Sequence, residues 1–230
     1  GLSFAAHLAL ISGSRMILED RFHPRRTMTN IARATVFMGV PPMYYAFLRR
    51  KEFAHSARLW DGVRLLTCGS APIRTDSLRL LQRTLGRSLV NRYGMTESHV
   101  ITSNPVGQDF TPGTVGHCLP GLQLRLVNKE GYEIRPGAKD KGGNARVGEV
   151  RIRGSNLFDH YWGRPQATRS ARDAQGFFCT GDLGFLNEME ELTLVGRISD
   201  LIITDGYNVY PPVVERVLNE HHAVAESAVV

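Results

Sequence analysis

Lysine, cysteine and long apolar runs are all scarce in this chain of 230 residues. Of its 28 basic residues only four are lysine, at positions 51, 129, 139 and 141, so arginine supplies most of the positive charge. No apolar run reaches the length of about 18 residues that a transmembrane helix needs, so no membrane span is predicted. The apolar residues 2–11 lack a preceding basic segment, which favours a buried helix over a signal peptide.

The cysteines exclude a disulfide-stapled fold. Cys68, Cys118 and Cys179 are three in number and far apart, and neither they nor the eight histidines show a metal-ligand spacing. We therefore expect three reduced, buried thiols, as is usual in a reducing compartment such as the cytoplasm. A mitochondrial location would need a targeting peptide ahead of residue 1 and stays open.

The net charge of +6 is spread along the chain rather than gathered in one patch. Nucleic-acid binding favours clustered basic residues with interleaved aromatic residues, and the sequence has no such cluster. A solvated surface with a mild attraction for anionic small molecules is the better interpretation.

Residues 1–110 alternate between apolar strand-like and helix-like segments, which predicts an α/β subdomain with a parallel or mixed sheet. The predicted strands are 15–18, 34–40, 63–68 and 88–91. The predicted helices are 3–12, 43–48 and 75–84, the last with Leu78, Leu80, Leu81 and Leu85 on or near one side.

From residue 111 glycine and proline become frequent between short alternating runs. This pattern is typical of hairpins, so we predict that residues 111–199 form a β-rich, barrel-like subdomain. Residues 200–230 predict a strand at 201–203, a helix at 211–219 and a strand at 225–230, as in the start of another subdomain. The fold class is therefore α/β, with a β-rich part after a mixed-sheet layer.

Gly69, Ser70, Ala71 and Pro72 follow a predicted strand. Small residues at a strand end let a flat ligand approach the backbone, and open α/β sheets bind ligands at the carboxyl ends of their strands. An ordinary strand-to-helix turn explains the same residues, so both interpretations stay open.

Residues 92–97 combine an aromatic ring, a glycine, a hydroxyl and a carboxylate after another predicted strand. Tyr93 can stack on a base, and Thr96 can donate to a phosphate oxygen. Glu97 can hold Mg²⁺, which prefers oxygen ligands and shares them with phosphates. For Glu97 taken alone, a capped helix start is the simpler interpretation.

Asp182 and Arg197 complete the candidate site. Asp182 can accept hydrogen bonds from both ribose hydroxyls, and Arg197 presents a planar fork of donors to a ribose or an α-phosphate. A turn-forming aspartate and a surface salt bridge are the alternatives. With Tyr93, these side chains predict a nucleotide cavity.

Taken together, these segments resemble the adenylate-forming superfamily, which includes acyl-CoA synthetases, luciferases and peptide-synthetase adenylation domains. The resemblance covers essentially the whole chain and rests on the order and spacing of residues 69–72, 93–97, 180–182 and 196–200. Within the superfamily, residues 92–97, 102–105 and 206–211 are similar to malonyl-CoA synthetases.

The resemblance implies a ligase that uses ATP, Mg²⁺, coenzyme A and a small carboxylic or dicarboxylic acid. An acyl-adenylate and pyrophosphate form first, and CoA then displaces AMP to give a thioester. The implied nucleotide-binding residues are Gly69, Ser70, Ala71, Pro72, Arg92, Tyr93, Gly94, Met95, Thr96, Asp182 and Arg197. Thr96, Glu97 and Arg197 are implied as catalytic, Arg92 as the ligand of the acid's carboxylate and Glu97 as the metal ligand. Asp200 matches a hinge between subdomains, and Gly206 matches the loop that lines the CoA tunnel.

Several positions depart from the pattern. Ala46 stands where a second carboxylate-binding arginine is implied, with Arg49 and Arg50 one turn later, so the acid stays open. In the hinge loop, a glycine, a lysine-like residue and a glutamate are replaced by Asp205, Pro212 and Val213.

The sequence lacks a Ser/Thr/Gly-rich phosphate loop with its lysine, and no lysine matches the catalytic one of the C-terminal subdomain. We therefore expect an internal fragment that adenylates acids poorly by itself, which an assay of carboxylate-dependent pyrophosphate release would check. The alternative is a non-catalytic nucleotide-binding relic or regulatory pseudoenzyme. An amino-acid adenylation domain has less support, because no acidic residue is placed to bind an α-amino group. The expected partners are small molecules, and the oligomeric state stays open.

Overall fold

The computed structural model of the chain describes residues 2–71, 73–205, 207–221, 223–224 and 226–230, with side chains from residue 5 onward. The chain divides into two units, Gly1–Gly113 and Thr114–Val230. The three-part division predicted at residues 110 and 199 stays a prediction.

The helices of the first unit begin where the sequence supplies suitable residues. Pro24 and Pro41 occupy first helical positions, where a missing N–H costs nothing. Gly86 ends the longest helix in a left-handed conformation, φ +65°. The helices are a π-helix Leu2–His7, α1 Leu8–Ile11, α2 Pro24–Ile31, α3 Pro41–Leu48, α4 Lys51–His55, a 3₁₀ helix Ala57–Trp60 and α5 Thr75–Leu85.

The sheet of this unit is mixed, as predicted. Its strands are β1 Val36–Gly39, β2 Leu65–Cys68, β3 Val90–Met95 and β4 His99–Ser103. The pairs β1–β2 and β2–β3 are parallel, and β3–β4 is antiparallel. Because Cys68 pairs with Asn91, the residues that follow both positions reach the same edge of the sheet.

An aromatic cluster supports this sheet from one side. Trp60 packs edge-on against Phe47 with ring centroids 5.4 Å apart, and Phe47 stacks on Phe53 at 5.7 Å. Phe37 of β1 meets the edge of Tyr44, whose hydroxyl donates a 2.7 Å hydrogen bond to the carbonyl of Thr67 in β2. The cluster therefore fixes α3 against the strand that leads to Gly69.

The first unit differs from the prediction in three places. Residues 15–18 form no strand, and they pair with no neighbouring strand. The next residue, Glu19, contacts α2 instead, because its carboxylate accepts hydrogen bonds from Thr27 and Asn30. Helix α2 itself was not predicted, since it buries only Met28 and Ile31. In α5 the buried leucines are Leu78, Leu81 and Leu85, whereas Leu80 is exposed.

The second unit is built mainly of strands. They are β5 His117–Cys118, β6 Leu122–Val127, β7 Glu133–Ile134, β8 Gly148–Gly154, β9 Phe178–Leu186, β10 Leu192–Arg197, β11 Ile202–Thr204 and β12 Tyr207–Val209. Its helices are α6 Pro165–Ser170, a 3₁₀ helix Ile198–Asp200 and α7 Pro211–Leu218.

Five of these strands form an antiparallel sheet in the order β10-β9-β8-β6-β7. The sheet is open, so the β-rich part is confirmed but a closed barrel is not formed among the described residues. Closure would require its two edge strands to pair. These edges are β10 and the two-residue β7, which is too short to offer a long row of backbone partners.

The C-terminal residues continue this unit. The predicted strand and helix are present as β11 and α7, and β11 pairs with β12 in a hairpin. The ammonium of Lys129 donates a 3.0 Å hydrogen bond to the side-chain oxygen of Asn208 in β12. Residues 226–230 form no strand, so that part of the predicted final strand is wrong, while residue 225 lies outside the described residues. No described helix is both long and apolar enough to cross a bilayer.

Candidate functional site

Asp182 lies on a bulge of β9. Glu149 of β8 pairs with Leu183, and Arg151 pairs with Cys179, so residues 180–182 of β9 face Val150 alone. The middle residue of the three, Gly181, has φ +72°, which glycine adopts without the usual steric cost. Bulges bend a strand and redirect its side chains, so this one determines where the Asp182 carboxylate points.

Asp182 and Arg197 contact each other in the structure. The two residues are cross-strand neighbours on β9 and β10, and Arg197 Nε donates a 2.9 Å hydrogen bond to Asp182 Oδ1. The side chain of Asp182 is only 10% exposed, whereas that of Arg197 is 59% exposed. The nearly buried Asp182 carboxylate can accept hydrogen bonds from hydroxyl groups. The exposed Arg197 guanidinium can donate hydrogen bonds to a phosphate in the solvent-facing direction.

The segment after β2 carries backbone strain. Ser70 has φ +73°, a left-handed conformation that costs a residue other than glycine about 1–3 kcal/mol. Such strain is concentrated at functional sites, which favours a ligand-binding turn over an ordinary one. Farther along, the backbone N–H of Arg74 donates a 3.1 Å hydrogen bond to the hydroxyl of Tyr45, which fixes the start of α5. Pro72 lies outside the described residues.

Gly69 and Arg92 are close neighbours at the shared edge of β2 and β3. A Cβ atom at position 69 would lie 3.3 Å from Cγ and 3.5 Å from Cζ of Arg92. Burial lowers the pKa of the half-buried Arg92 guanidinium, while the nearby Cys68 and Tyr44 act in the opposite direction. Because Gly69 has no side chain, the Arg92 side chain can occupy the space beside it.

The cysteines are less buried than predicted. All three are free thiols, but only Cys68 is buried, and Cys118 and Cys179 are half-buried. Burial raises the pKa of the Cys68 thiol to about 12, so it stays protonated at neutral pH. Cys68 thus acts as a small apolar residue beneath Arg92.

Residues 92–95 lie within β3 rather than after a strand. Tyr93 is buried, Arg92 and Met95 are half-buried, and Gly94 is exposed. A Cβ atom at Gly94 would lie 1.9 Å from the carbonyl oxygen of His99 in β4, so glycine is required here by the approach of two strands.

Thr96 and Glu97 lie in the turn between β3 and β4, Thr96 exposed and Glu97 half-buried. The alternative of a capped helix start for Glu97 is wrong, because an antiparallel strand follows instead. Among the described residues, no group of three or more His, Cys, Asp and Glu side chains is arranged to hold a metal ion. Mg²⁺ usually binds through one or two carboxylates together with substrate phosphates, so a single carboxylate in a turn fits that mode.

The implied hinge residue Asp200 ends the 3₁₀ helix, where its carboxylate accepts a 2.7 Å hydrogen bond from Ser199. Asp205, which replaces a glycine of the resembled pattern, has φ +49°. This left-handed conformation is one that glycine adopts more readily than other residues, which is consistent with a glycine in the resembled pattern. Gly206 lies outside the described residues.

A charged network around Asp173 was not predicted. Arg125 and Arg151 are directly opposed on β6 and β8, and both donate to Asp173 Oδ2. Its other oxygen accepts hydrogen bonds from the backbone N–H groups of Gln175 and Phe177 at 2.9 and 3.0 Å. Two arginines at paired positions repel unless an anion lies between them. Two opposed arginines indicate an anion between them, but the sequence does not show that Arg125 and Arg151 are opposed until the strand register is known.

We expect Asp173→Asn to lower stability by about 1–3 kcal/mol at neutral pH, since charged hydrogen bonds are lost. Burial alone would raise the pKa of Asp173, but its four hydrogen bonds hold that pKa below the ordinary 3.8. The stabilisation is therefore complete above pH 3.8 and is lost as the pH falls through the lowered pKa. Urea unfolding at neutral pH and at about pH 3 should show the difference between wild type and variant shrinking in acid.

The control for this prediction is Asp159→Asn, which changes an exposed aspartate of the same unit. It should leave stability unchanged at both pH values. A difference between wild type and Asp173→Asn that stays constant with pH would contradict the prediction.

Comparisons with known proteins agree with the sequence resemblance. The profile of the family described as AMP-binding enzyme matches residues 1–162. Mitochondrial malonate–CoA ligase ACSF3 of Mus musculus is 32% identical over 222 residues, which cover 85% of this chain and 37% of that protein. Probable CoA ligase CCL8 of Humulus lupulus is 35% identical over 204 residues, covering 85% of this chain and 32% of that protein.

A solved structure shows the same fold. ATP-bound MatB from Rhodopseudomonas palustris matches 100% of this chain with a TM-score of 0.91 and 37% sequence identity. The match covers 44% of that chain, so the present sequence spans less than half of the relatives it resembles.

Proposed function

Because this chain belongs to the AMP-binding enzyme family, we propose that it binds an adenine nucleotide and forms part of an AMP-forming acid–CoA ligase. In this reaction ATP and a small carboxylic or dicarboxylic acid form an acyl-adenylate with release of pyrophosphate, and coenzyme A then displaces AMP to give the acyl thioester. The main support for this proposal is the pairing of Arg197 on β10 with the nearly buried Asp182 on the bulge of β9.

The proposed nucleotide contacts follow from the chemistry of each side chain. Asp182 accepts hydrogen bonds from the ribose hydroxyls, and Arg197 donates to the ribose or the α-phosphate. Tyr93 provides a ring for base stacking, and Thr96 donates to a phosphate oxygen. Glu97 would hold Mg²⁺, which neutralises phosphate charge when bound.

Arg92 is the proposed ligand for a carboxylate of the acid. Its guanidinium offers two parallel donors, which match the two oxygens of a carboxylate. The named activity of the mouse relative, a malonate–CoA ligase, makes malonate the first acid to test. The cytoplasmic location expected from the cysteines stays a prediction.

Gly69→Ala tests the role of Arg92. We expect the added methyl group, 3.3 Å from Arg92 Cγ, to displace the guanidinium and weaken malonate binding about tenfold, as for a lost charged hydrogen bond. AMP binding should change little. Thermal-shift titrations with malonate in the presence of AMP measure this, and Gly62→Ala is the control because its new Cβ has only one neighbour, at 3.8 Å. Equal weakening of malonate and AMP binding would assign Gly69 to the nucleotide instead.

The proposed function is tested by thermal unfolding of the full chain with AMP, ATP, GMP and no nucleotide. A ligand that binds only the folded state raises the melting temperature by mass action. We expect AMP and ATP to raise it and GMP to raise it less. Identical melting curves in all four conditions would contradict adenine-nucleotide binding. Binding of AMP without any response to acids would favour the non-catalytic alternative.

A further inference from the structure

The bulge of β9 removes regular ladder bonds at a buried position. Three residues of β9, 180–182, face the single residue Val150, which is fully buried. Buried backbone N–H and C=O groups almost always require partners, and a bulge leaves some of them unpaired by the neighbouring strand. Side chains must therefore complete the hydrogen bonding if the bulge is to hold one shape.

Thr180 supplies two of these bonds through one hydroxyl group. Its Oγ1 donates to the carbonyl oxygen of Val150 at 2.7 Å and accepts from the backbone N–H of Asp182 at 3.0 Å. Thr180 is 7% exposed, so water does not readily replace either bond. A hydroxyl group can donate and accept through the same oxygen atom, which an apolar side chain cannot do.

Glu149 supports the middle of the bulge from β8. Its Oε1 accepts from the backbone N–H of Gly181 at 3.4 Å, and its Oε2 accepts from Arg151 Nε at 2.8 Å. Arg151 in turn donates to Asp173 at 3.1 Å. The bulge is thus connected to the charged network that holds β6 and β8.

We infer that Thr180 and Glu149 are positioning residues that set the Asp182 carboxylate for the two hydroxyls of a ribose. The inference rests on the proposed function. The Thr180 hydroxyl accepts a hydrogen bond from the backbone N–H of Asp182, and the Glu149 carboxylate accepts one from the backbone N–H of Gly181. Arg197 also donates to Asp182 Oδ1 at 2.9 Å, but its side chain is 59% exposed, so it constrains the carboxylate less than the buried bulge does. Recognition of this kind requires placement within about 0.5 Å, which supporting hydrogen bonds provide.

The test compares AMP with 2′,3′-dideoxy-AMP, which lacks both ribose hydroxyls. Dissociation constants of the full chain are measured for the two nucleotides by isothermal titration calorimetry. Wild type should prefer AMP by at least about a hundredfold, as expected for two hydroxyls bound to a charged acceptor. In Thr180→Val, of nearly the same shape, the preference should disappear while dideoxy-AMP still binds. The variant Thr180→Ser keeps the hydroxyl group and should keep the preference for AMP.

Glu149 provides a second, independent pair of variants if Thr180→Val does not fold. Glu149→Gln keeps an oxygen that can accept from Gly181 and should retain the preference. Glu149→Met removes that oxygen and should reduce the preference about threefold. A role in stability alone would lower the melting temperature without changing the ratio of the two dissociation constants.

The outcomes separate the inference from the proposed function. If wild type binds neither nucleotide, or binds both equally, the ribose site is wrong and the inference is overturned with it. If wild type prefers AMP and folded Thr180→Val does so equally, the inference alone is overturned. An unchanged preference in Glu149→Met overturns the role of Glu149.

Discussion

Gly94→Ala should destabilise the first unit by about 3 kcal/mol, at the upper end of the cost of overpacking. The new methyl carbon would lie 1.9 Å from the His99 carbonyl oxygen and 2.9 Å from the Cα atom of Val100. These are backbone atoms, so no side-chain rotation relieves the clash, and β3 and β4 must separate or change register. For a chain of this size, the melting temperature should fall by about 6–12 °C.

Gly62→Ala is the matched control, since its Cβ would meet only the carbonyl oxygen of Ala34 at 3.8 Å. Differential scanning calorimetry of both variants measures the two costs under the same conditions. A fall in melting temperature for Gly94→Ala no larger than that of Gly62→Ala would contradict the predicted clash. The result also bears on function, because a glycine that resembles a ligand-binding residue would be shown to have a structural requirement of its own.

Asp182→Ala should abolish the AMP-dependent rise in melting temperature. The variant removes the carboxylate proposed to bind both ribose hydroxyls, and each hydrogen bond to a charged group contributes about 1.5–3 kcal/mol. Two such losses weaken binding by at least about a hundredfold, beyond the range in which a modest AMP concentration shifts the transition. Arg197, the partner left behind, is more than half exposed and stays hydrated, so the unliganded protein should remain folded.

Asp159→Ala controls for the loss of one negative charge in the same unit, because Asp159 is exposed. It should respond to AMP as wild type does. The measurement is thermal unfolding monitored by circular dichroism with and without AMP. A full AMP response in folded Asp182→Ala would exclude Asp182 from the nucleotide site.

Features that depend on nearby residues could be predicted from the sequence. The alternating runs that became β6 and β8 and the leucine spacing of α5 each reflect burial on one side of an element. The mixed sheet followed from alternating strands and helices, and the family resemblance identified Asp182 and Arg197 before their contact was known.

Features that depend on strand pairing could not be predicted in this way. The three-against-one pairing at residues 180–182, the contact of Gly94 with His99 and the bonding of Asp173 to two arginines all require the register of neighbouring strands. Register is set by the packing of the whole sheet and by its turns. The prediction of a strand at residues 15–18 was wrong for a related reason, since a β-branched or apolar run becomes a strand only where a partner strand is available.

The scarcity of lysine has a practical consequence for chemical labelling. Lys51, Lys129, Lys139 and Lys141 are all exposed, whereas the cations paired with Asp173 and Asp182 are guanidinium groups, which amine-reactive dyes do not modify. Fluorophores or cross-linkers directed at amines would therefore attach without touching either arginine centre. A probe attached to Lys129 would lie next to Asn208, beside the β11–β12 hairpin.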